Sequence, residues 1–457
     1  MAAVAQEQNP AAESTLPTVN VVDTALEANP NAEPGVPYKA KYSGDERKRR
    51  ALGETAQNIQ VLTKAQIEDS GYTDLREILD AQPGITLGTG ENGNAFGDRY
   101  NQGWQEVEYF VNQTNLHLDR EIGGLKHELI FALEYSDHSV LNGVYNVRNS
   151  GENCMVPGRG GVSSGWCITD ASGALLNGIN AIMNRSVVKG TWDSDWNVKT
   201  VSLSVMDTVD LTDKWTAFAG LRWDRFDYDL GTQNTTTFAR TDFSTSDSLW
   251  NGHVGLTYKF RPDANVYASY STASDVNGGE SDVGTNAGYG GFIPGSAAPE
   301  KTELLELGTK WNLMGEKLLA TAAAFQITKS DVMEGNGYEA TGTFNSSKNR
   351  VRGIELGLTG LITDRLTAQA GVAIMGAEVL ESATPPRVGR TLSNFADKSA
   401  FAQLKYQATD AFSFGGAVKY ESEKYAGQPD TAAGFDAATG MRAAMDKVVA
   451  NPPLRTR

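Results

Sequence analysis

Two cysteines, Cys154 and Cys167, stand thirteen positions apart in one stretch rich in Gly, Ser and Asn. In an oxidising compartment such a pair closes a surface loop as a disulfide, worth about 3 kcal/mol through loop entropy. A metal pair is the alternative. Zinc sites usually take four ligands, and the chain's four histidines (His117, His127, His138 and His253) include none beside these cysteines. Two of those histidines lie on segments of alternating polarity, where a solvated or interface position suits them. Asp275, Glu280 and Asp282 crowd one stretch and have the chemistry for calcium, but a solvated acidic loop accounts for them more simply. The Gly-rich run Gly88–Gly93 lacks the Lys-Ser/Thr of a phosphate loop and no βαβ pattern surrounds it. No catalytic constellation emerges, so the expectation is a non-enzyme with no metal site and no covalently bound cofactor.

The groups that remain act by binding, and their setting is an acidic chain of 457 residues with net charge −16. No basic patch is long enough for a nucleic-acid footprint. No window of about 18 apolar residues predicts a membrane helix, which leaves strands crossing a membrane untouched. Ala3-Val4-Ala5 fits the small-residue end of a secretory signal peptide, so residues 1–15 read as a leader remnant; an ordinary Ala-rich start is the alternative.

The strongest periodicity lies in five short turn sequences: Leu211-Thr-Asp-Lys-Trp215, Arg261-Pro-Asp-Ala-Asn265, Met314-Gly-Glu-Lys-Leu318, Ile362-Thr-Asp-Arg-Leu366 and Ala408-Thr-Asp-Ala-Phe412. Their central acids recur at intervals of 50, 53, 48 and 46 residues. The flanking segments alternate with period two. Trp250, Gly252, Val254, Leu256 and Tyr258 interleave with polar residues, as do Phe412, Phe414, Val418 and Tyr420, and Val201, Leu203 and Val205 interleave with serines. These are half-buried strands, several of them long enough to cross a bilayer when tilted. Each period then holds two strands, one tight turn and one long polar connection, the latter at about residues 229–248, 274–300, 331–347 and 380–397. Tight turns at one end and long loops at the other predict an outer-membrane barrel. A soluble β-sandwich or propeller also alternates, but a propeller blade packs four shorter strands into a similar length.

The first hundred residues differ. Residues 16–50 are polar and carry a charge run, Asp45-Glu-Arg-Lys-Arg-Arg50, which predicts a flexible segment; one β-prone island, Leu16–Thr24, interrupts it. Asn58–Leu62 reads as a strand. Thr63 then opens a helix with Gln66 placed for a capping box, and Gly71 ends it. Thr73–Ala81 reads as a second helix stopped by Pro83-Gly84, and Ile85–Leu87 as another strand.

These residues carry a resemblance. Ala51–Thr63 followed by Asp74–Ile85 resembles the start of the plug domain of TonB-dependent outer-membrane receptors. Thr18, Val19, Asn20, Val21, Val22 and Asp23 resemble the TonB box. Pro299–Trp311 and Arg350–Leu356 resemble barrel strands of the same family, and Gly88–Tyr100 is similar to receptors for ferric catecholate siderophores. The resemblance implies a plugged up-and-down barrel in the outer membrane of a Gram-negative bacterium, in contact with lipid. It implies iron held only within a ferric siderophore ligand. It also implies that the TonB box pairs as a strand with the C-terminal domain of TonB, driven by the inner-membrane energising complex.

Three departures shape the expected architecture. Asn101-Gln-Gly-Trp104 leads straight into barrel strands where the plug should continue, about twelve strands follow rather than 22, and from Phe435 the chain turns Ala-rich and helical-looking over Met441–Ala450. The expected fold is therefore all-β: an incomplete antiparallel up-and-down transmembrane β-barrel over residues 104–424, preceded by a truncated α/β plug over 51–100 and followed by an atypical tail over 425–457. An anionic ferric catecholate calls for cationic and aromatic loop residues, which nominates Tyr145, Arg148, Arg159, Trp166, Tyr289 and Phe292. The competing functions are a receptor for cobalamin or an oligosaccharide, a passive porin or adhesin, and a non-functional fragment.

Overall fold

The computed structural model describes residues 31, 33, 35–80, 82–85, 103–149, 185–275, 299–334, 344–425, 432–433 and 447–448. Twelve strands form one sheet in chain order, each hydrogen-bonded antiparallel to the next. They are β1 Gly103–Ile122, β2 Leu125–Asn149, β3 Arg185–Asp210, β4 Trp215–Gln233, β5 Arg240–Arg261, β6 Ala264–Asp275, β7 Glu300–Leu313, β8 Leu318–Glu334, β9 Phe344–Thr363, β10 Leu366–Glu381, β11 Lys398–Thr409 and β12 Phe412–Glu421. This is the expected up-and-down meander, and it has the expected strand number. Among the described residues β1 and β12 do not pair with each other.

All five turn sequences predicted from the repeat join the strands they were expected to join, β3 to β4, β5 to β6, β7 to β8, β9 to β10 and β11 to β12. Gly123-Gly124, both at positive φ, make a sixth between β1 and β2. The tight ends therefore all lie on one side of the sheet.

Side-chain alternation separates two faces of opposite chemistry. On β7, Leu305 and Leu307 are 57% and 63% exposed, while Glu306 and Lys310 between and beyond them are 7% and 2% exposed. The same holds on β3, where Val201, Leu203 and Val205 are exposed and Ser202 is buried, and on β12, where Phe412, Phe414, Val418 and Tyr420 are exposed. The outward face is an apolar belt and the inward face is polar, the inverse of a water-soluble sheet. Aromatic pairs such as Trp215–Tyr258, with ring centroids 4.6 Å apart, sit beside the tight turns where an interfacial girdle is expected.

Several sequence expectations need correction. The connection expected at 229–248 is mostly strand, with only residues 234–239 between β4 and β5. Strand residues such as Thr241, Ser244, Thr245 and Ser246 are polar, so composition alone resembles a loop; their pairing in full register with β4 decides the matter. Asn58–Leu62 is not a strand: no sheet neighbour is available, and Asn58 instead bonds the barrel wall. Ile85 is likewise outside any strand, and Thr86 and Leu87 lie outside the described residues. Within the helical-looking stretch, Lys447–Val448 pairs antiparallel with Lys424–Tyr425 as a two-residue ladder (β13 and β14).

The helical expectations hold. α1 spans Lys64–Ser70 and opens with the predicted capping box: the Gln66 amide donates to Thr63 Oγ1 (3.2 Å) and the Thr63 amide donates to Gln66 Oε1 (2.7 Å). Gly71 closes it in the left-handed region at φ 69°. α2 spans Leu75–Asp80. The segment expected to be flexible is, over residues 35–50, docked against the inner wall, where Val36, Tyr38, Lys39 and Ala40 are buried.

Candidate functional site

The inner wall of the sheet holds the N-terminal segment by polar contacts that long strand registers bring together. β7 points Glu306 and Lys310 inward because positions four apart on a strand share a face. Lys310 Nζ donates to the carbonyls of Leu52 (2.6 Å) and Gln57 (2.7 Å). Glu306 Oε1 accepts from the Asn58 amide (2.8 Å) and from the Tyr267 hydroxyl on β6 (2.6 Å). Glu355 on β9 accepts from Asn58 Nδ2 (2.9 Å), and Asn265 Nδ2 donates to the Gly53 carbonyl (2.5 Å). Tyr267 reaches Glu306 by lying across Gly308, where a Cβ would meet the ring at 2.5 Å. Three strands, β6, β7 and β9, therefore grip one seven-residue stretch, residues 52–58.

The charge run supplies a second set of contacts. Arg49 pairs with Asp119 on β1 (2.7 Å), and Arg50 bridges Glu128 on β2 (2.8 Å) and Asp210 on β3 (3.1 Å). Burial works against the Arg50 charge, but Asp210 and Glu128 outweigh it and hold the guanidinium protonated more firmly than usual. Burial pulls the Lys48 ammonium below the usual lysine range, with Arg47 adding to the effect; its described partner is the neutral Gln57 side chain. Between this run and the wall lies a cavity of about 360 Å³, lined by Lys48, Ala56, Ile130, Met206, Phe218 and His253 among others.

The helices dock further round the arc. Gln403 Nε2 on β11 donates to the Gln66 carbonyl (3.0 Å) and the Tyr38 hydroxyl (3.3 Å), Lys405 pairs with Asp69 (2.8 Å), and the Gly84 amide donates to Ser399 Oγ (2.8 Å). Residues 38 and 39 lie at the tight-turn end of the sheet: the Tyr38 carbonyl accepts from Thr359 Oγ1, and Lys39 Nζ donates to the Glu316 carbonyl in the β7–β8 turn.

At the opposite, loop-bearing end the inward face turns aromatic. Tyr109, His138, Trp196 and Tyr228 form a ladder across β1 to β4, with successive ring centroids 5.1, 4.8 and 6.5 Å apart. Val140, Phe226 and Leu230 complete a buried cluster with Trp196 and Tyr228. Trp196 and Tyr228 are buried, so only the β1–β2 end of the ladder, Tyr109 (62% exposed) and half-buried His138, presents a face on which a planar ligand group could stack.

The residues nominated from sequence are only partly placed. Thr18, Val19, Asn20, Val21, Val22 and Asp23 lie outside the described residues, as do Cys154, Cys167, Arg159, Trp166, Tyr289 and Phe292. The backbones of Tyr145 and Arg148 pair with Lys189 and Ser186 near the loop end of β2 and β3. Sequence reading missed the seam at Glu306, Lys310, Tyr267 and Glu355 and the aromatic ladder. The first had a signal, an acid and a lysine on one face of an otherwise apolar-alternating strand. The second had none, because its four rings come from four strands with no shared local motif.

Replacing Lys310 with methionine (K310M) removes two charge-assisted bonds, each worth roughly 1.5–3 kcal/mol, and strands two buried carbonyls. Amide hydrogen exchange over residues 52–58 should then quicken by at least about tenfold, while the strands keep their protection. Unchanged exchange there would mean that Lys310 does not hold the segment.

Comparison with known proteins adds an independent line. The sequence model of a family described as "TonB dependent receptor-like, beta-barrel" matches residues 8–443. The probable TonB-dependent siderophore receptor PiuA of Acinetobacter baumannii is 26% identical over 347 residues, covering 72% of this chain and 45% of that protein. The catecholate siderophore receptor Fiu of Escherichia coli is 26% identical over 351 residues, covering 72% and 43%. The chain thus spans less than half the length of these curated relatives. The crystal structure of PiuA superposes with a TM-score of 0.59 at 23% identity, covering 71% of this chain and 47% of that one. The closed form of Fiu superposes with a TM-score of 0.55 at 21% identity, covering 74% and 46%.

Proposed function

Since the chain belongs to the TonB-dependent receptor-like β-barrel family, we propose that it serves in the uptake of a ferric siderophore, of catecholate type, across the outer membrane of a Gram-negative bacterium. The observation that carries this reading is the docking of residues 35–85 on the polar inner wall of a sheet whose outer wall is an apolar belt. A segment gripped by Lys310 and Glu306, and through its own Arg50 by Glu128 and Asp210, occupies the lumen as a plug does. Relatives named as siderophore receptors support the ligand class. The ligand enters from the loop-bearing end, where Tyr109, backed by His138 and the buried Trp196 and Tyr228, offers an exposed ring.

The partner in this reading is the C-terminal domain of TonB with its inner-membrane energising complex. The docked segment leaves the wall at the tight-turn end, the periplasmic end of such a barrel, which is where residues 18–23 must be offered. Iron enters only as the ligand's metal. No covalent step falls to this chain; its contribution is binding and a plug rearrangement powered from the inner membrane. A passive porin is a poorer fit because the inner wall is occupied by a segment held through charged contacts.

The test is uptake of labelled ferric catecholate by a Gram-negative host lacking its own catecholate receptors and carrying this chain behind a signal peptide. Iron should accumulate, and a protonophore should stop it. Accumulation that ignores the protonophore would make the chain a passive pore. A folded, membrane-inserted chain with no accumulation would sink the transport reading.

A further inference from the structure

β2 and β3 run in register until Asn142, which faces Ser194; the next pair is Gly143 with Trp192, so Asp193 is an extra residue bulged out of the ladder. Asp193 is 2% exposed, and no side chain donates to either carboxylate oxygen; only the backbone amides of Asp193 and Ser194 lie beside them. The hydroxyl of Ser194, 8% exposed, is also buried without a partner, and the equally buried Asn142 stands opposite it. Among the described residues no basic group pairs with this carboxylate. The cations on neighbouring strand ends are engaged elsewhere: Lys189 with Glu106 (2.5 Å) and the ring of Trp104, and Arg240 with Asp242 (2.5 Å) and the ring of Trp192.

A buried, unpaired carboxylate is too costly to persist as a bare anion; it takes up a proton or gains a counter-charge. The first requires only the carboxyl itself. The second explains more of what is seen, because two neighbouring side chains of one bulge bury three oxygens without side-chain donors. A bulge also withdraws its extra residue's backbone from the ladder. Oxygen-only donors of this kind suit a hard cation and not a soft one. The bulge lies eight positions beyond Val201 towards the long loops, roughly 26 Å along the strand and so clear of the apolar belt on the outer side.

We propose that the Asp193 bulge is a binding site for one calcium ion, held by the Asp193 carboxylate with the Ser194 hydroxyl and the side-chain oxygen of Asn142. A single carboxylate among neutral oxygens places the affinity in the range of extracellular calcium modules, roughly 10⁻⁴–10⁻³ M. The ion ties β2 to β3 just below the point where residues 150–184 connect them.

Terbium(III) reports on such a site because Trp192 and Trp196 flank it in sequence and sensitise its emission. The folded chain in detergent, excited through tryptophan, should show saturable terbium emission that calcium displaces. Asp193→Asn should weaken that binding at least about tenfold and Ser194→Ala about threefold, with both variants keeping the heat-shifted mobility of a folded barrel. Emission that does not saturate in the parent chain, or that is the same in both variants, overturns the site and leaves Asp193 a carboxylic acid carrying its own proton. Should Asp193→Asn fail to fold, the parent titration and Ser194→Ala still decide.

Discussion

Leu307→Arg should keep the chain from accumulating as a folded species in the outer membrane. Leu307 sits in the middle of β7, 63% exposed, with Ala268 of β6 and Ala324 of β8 as its register partners and Leu305 one step along the same face. If that face meets lipid, an arginine near the bilayer midplane costs about 2–4 kcal/mol. Folded domains hold only about 5–15 kcal/mol in total, so a loss of this size removes a large share of the margin. A surface leucine on a water-soluble sheet would give the opposite result, since arginine there is neutral or helpful. Ala273→Arg, opposite Thr302 on the inward face of β6, is the control and should be tolerated. The readout is the heat-modifiable band in outer-membrane fractions. Equal amounts of folded Leu307→Arg and parent chain would mean that the apolar belt does not face lipid.

Val21→Pro should abolish energised uptake, by at least about tenfold, while ligand affinity stays within about twofold of the parent, because proline removes the backbone donor a paired strand needs. Asn31 and Glu33 are bonded to the docked segment, so the tether runs from Asp23 to Asn31 and, fully extended, spans at most about 29 Å. The docked residues it starts from lie beside the β7–β8 turn and the end of β9, so the tether is directed the right way. Binding and uptake must be measured together. Loss of both would mean that the proline disturbs folding, and retention of both would mean that residues 18–23 engage no strand-pairing partner.

What was legible in the sequence was what local chemistry determines. The Asp- and Gly-centred turns appear where their residue types force a reversal, and Thr63 with Gln66 builds its cap from side chains three positions apart. The alternation around Trp250 and Phe412 sets the outward face without reference to any other strand. What was not legible depends on distant partners. The run Asp45–Arg50 has the composition of a solvated linker, and only Asp119, Glu128 and Asp210, from three different strands, make it a docking element. Asn58–Leu62 has strand propensity but no neighbouring edge, so its polar groups turn to Glu306 and Glu355 instead. The Ser/Thr-rich ends of β4 and β5 are strands because each supplies the other's hydrogen bonds, which neither segment reveals alone.

β2 and β3 contain 25 and 26 residues, whereas a tilted strand crosses the hydrocarbon in about 9–11. At roughly 3.3 Å per residue and a tilt near 45°, the surplus carries this hairpin some 30 Å past the membrane surface. Among the described residues, a two-stranded arm of that height stands furthest toward the medium. Antibodies, phage tail fibres and protein toxins would contact its tip before any ligand site nearer the membrane, so sequence change between strains should concentrate there while the inward-facing seam at Glu306 and Lys310 stays constant.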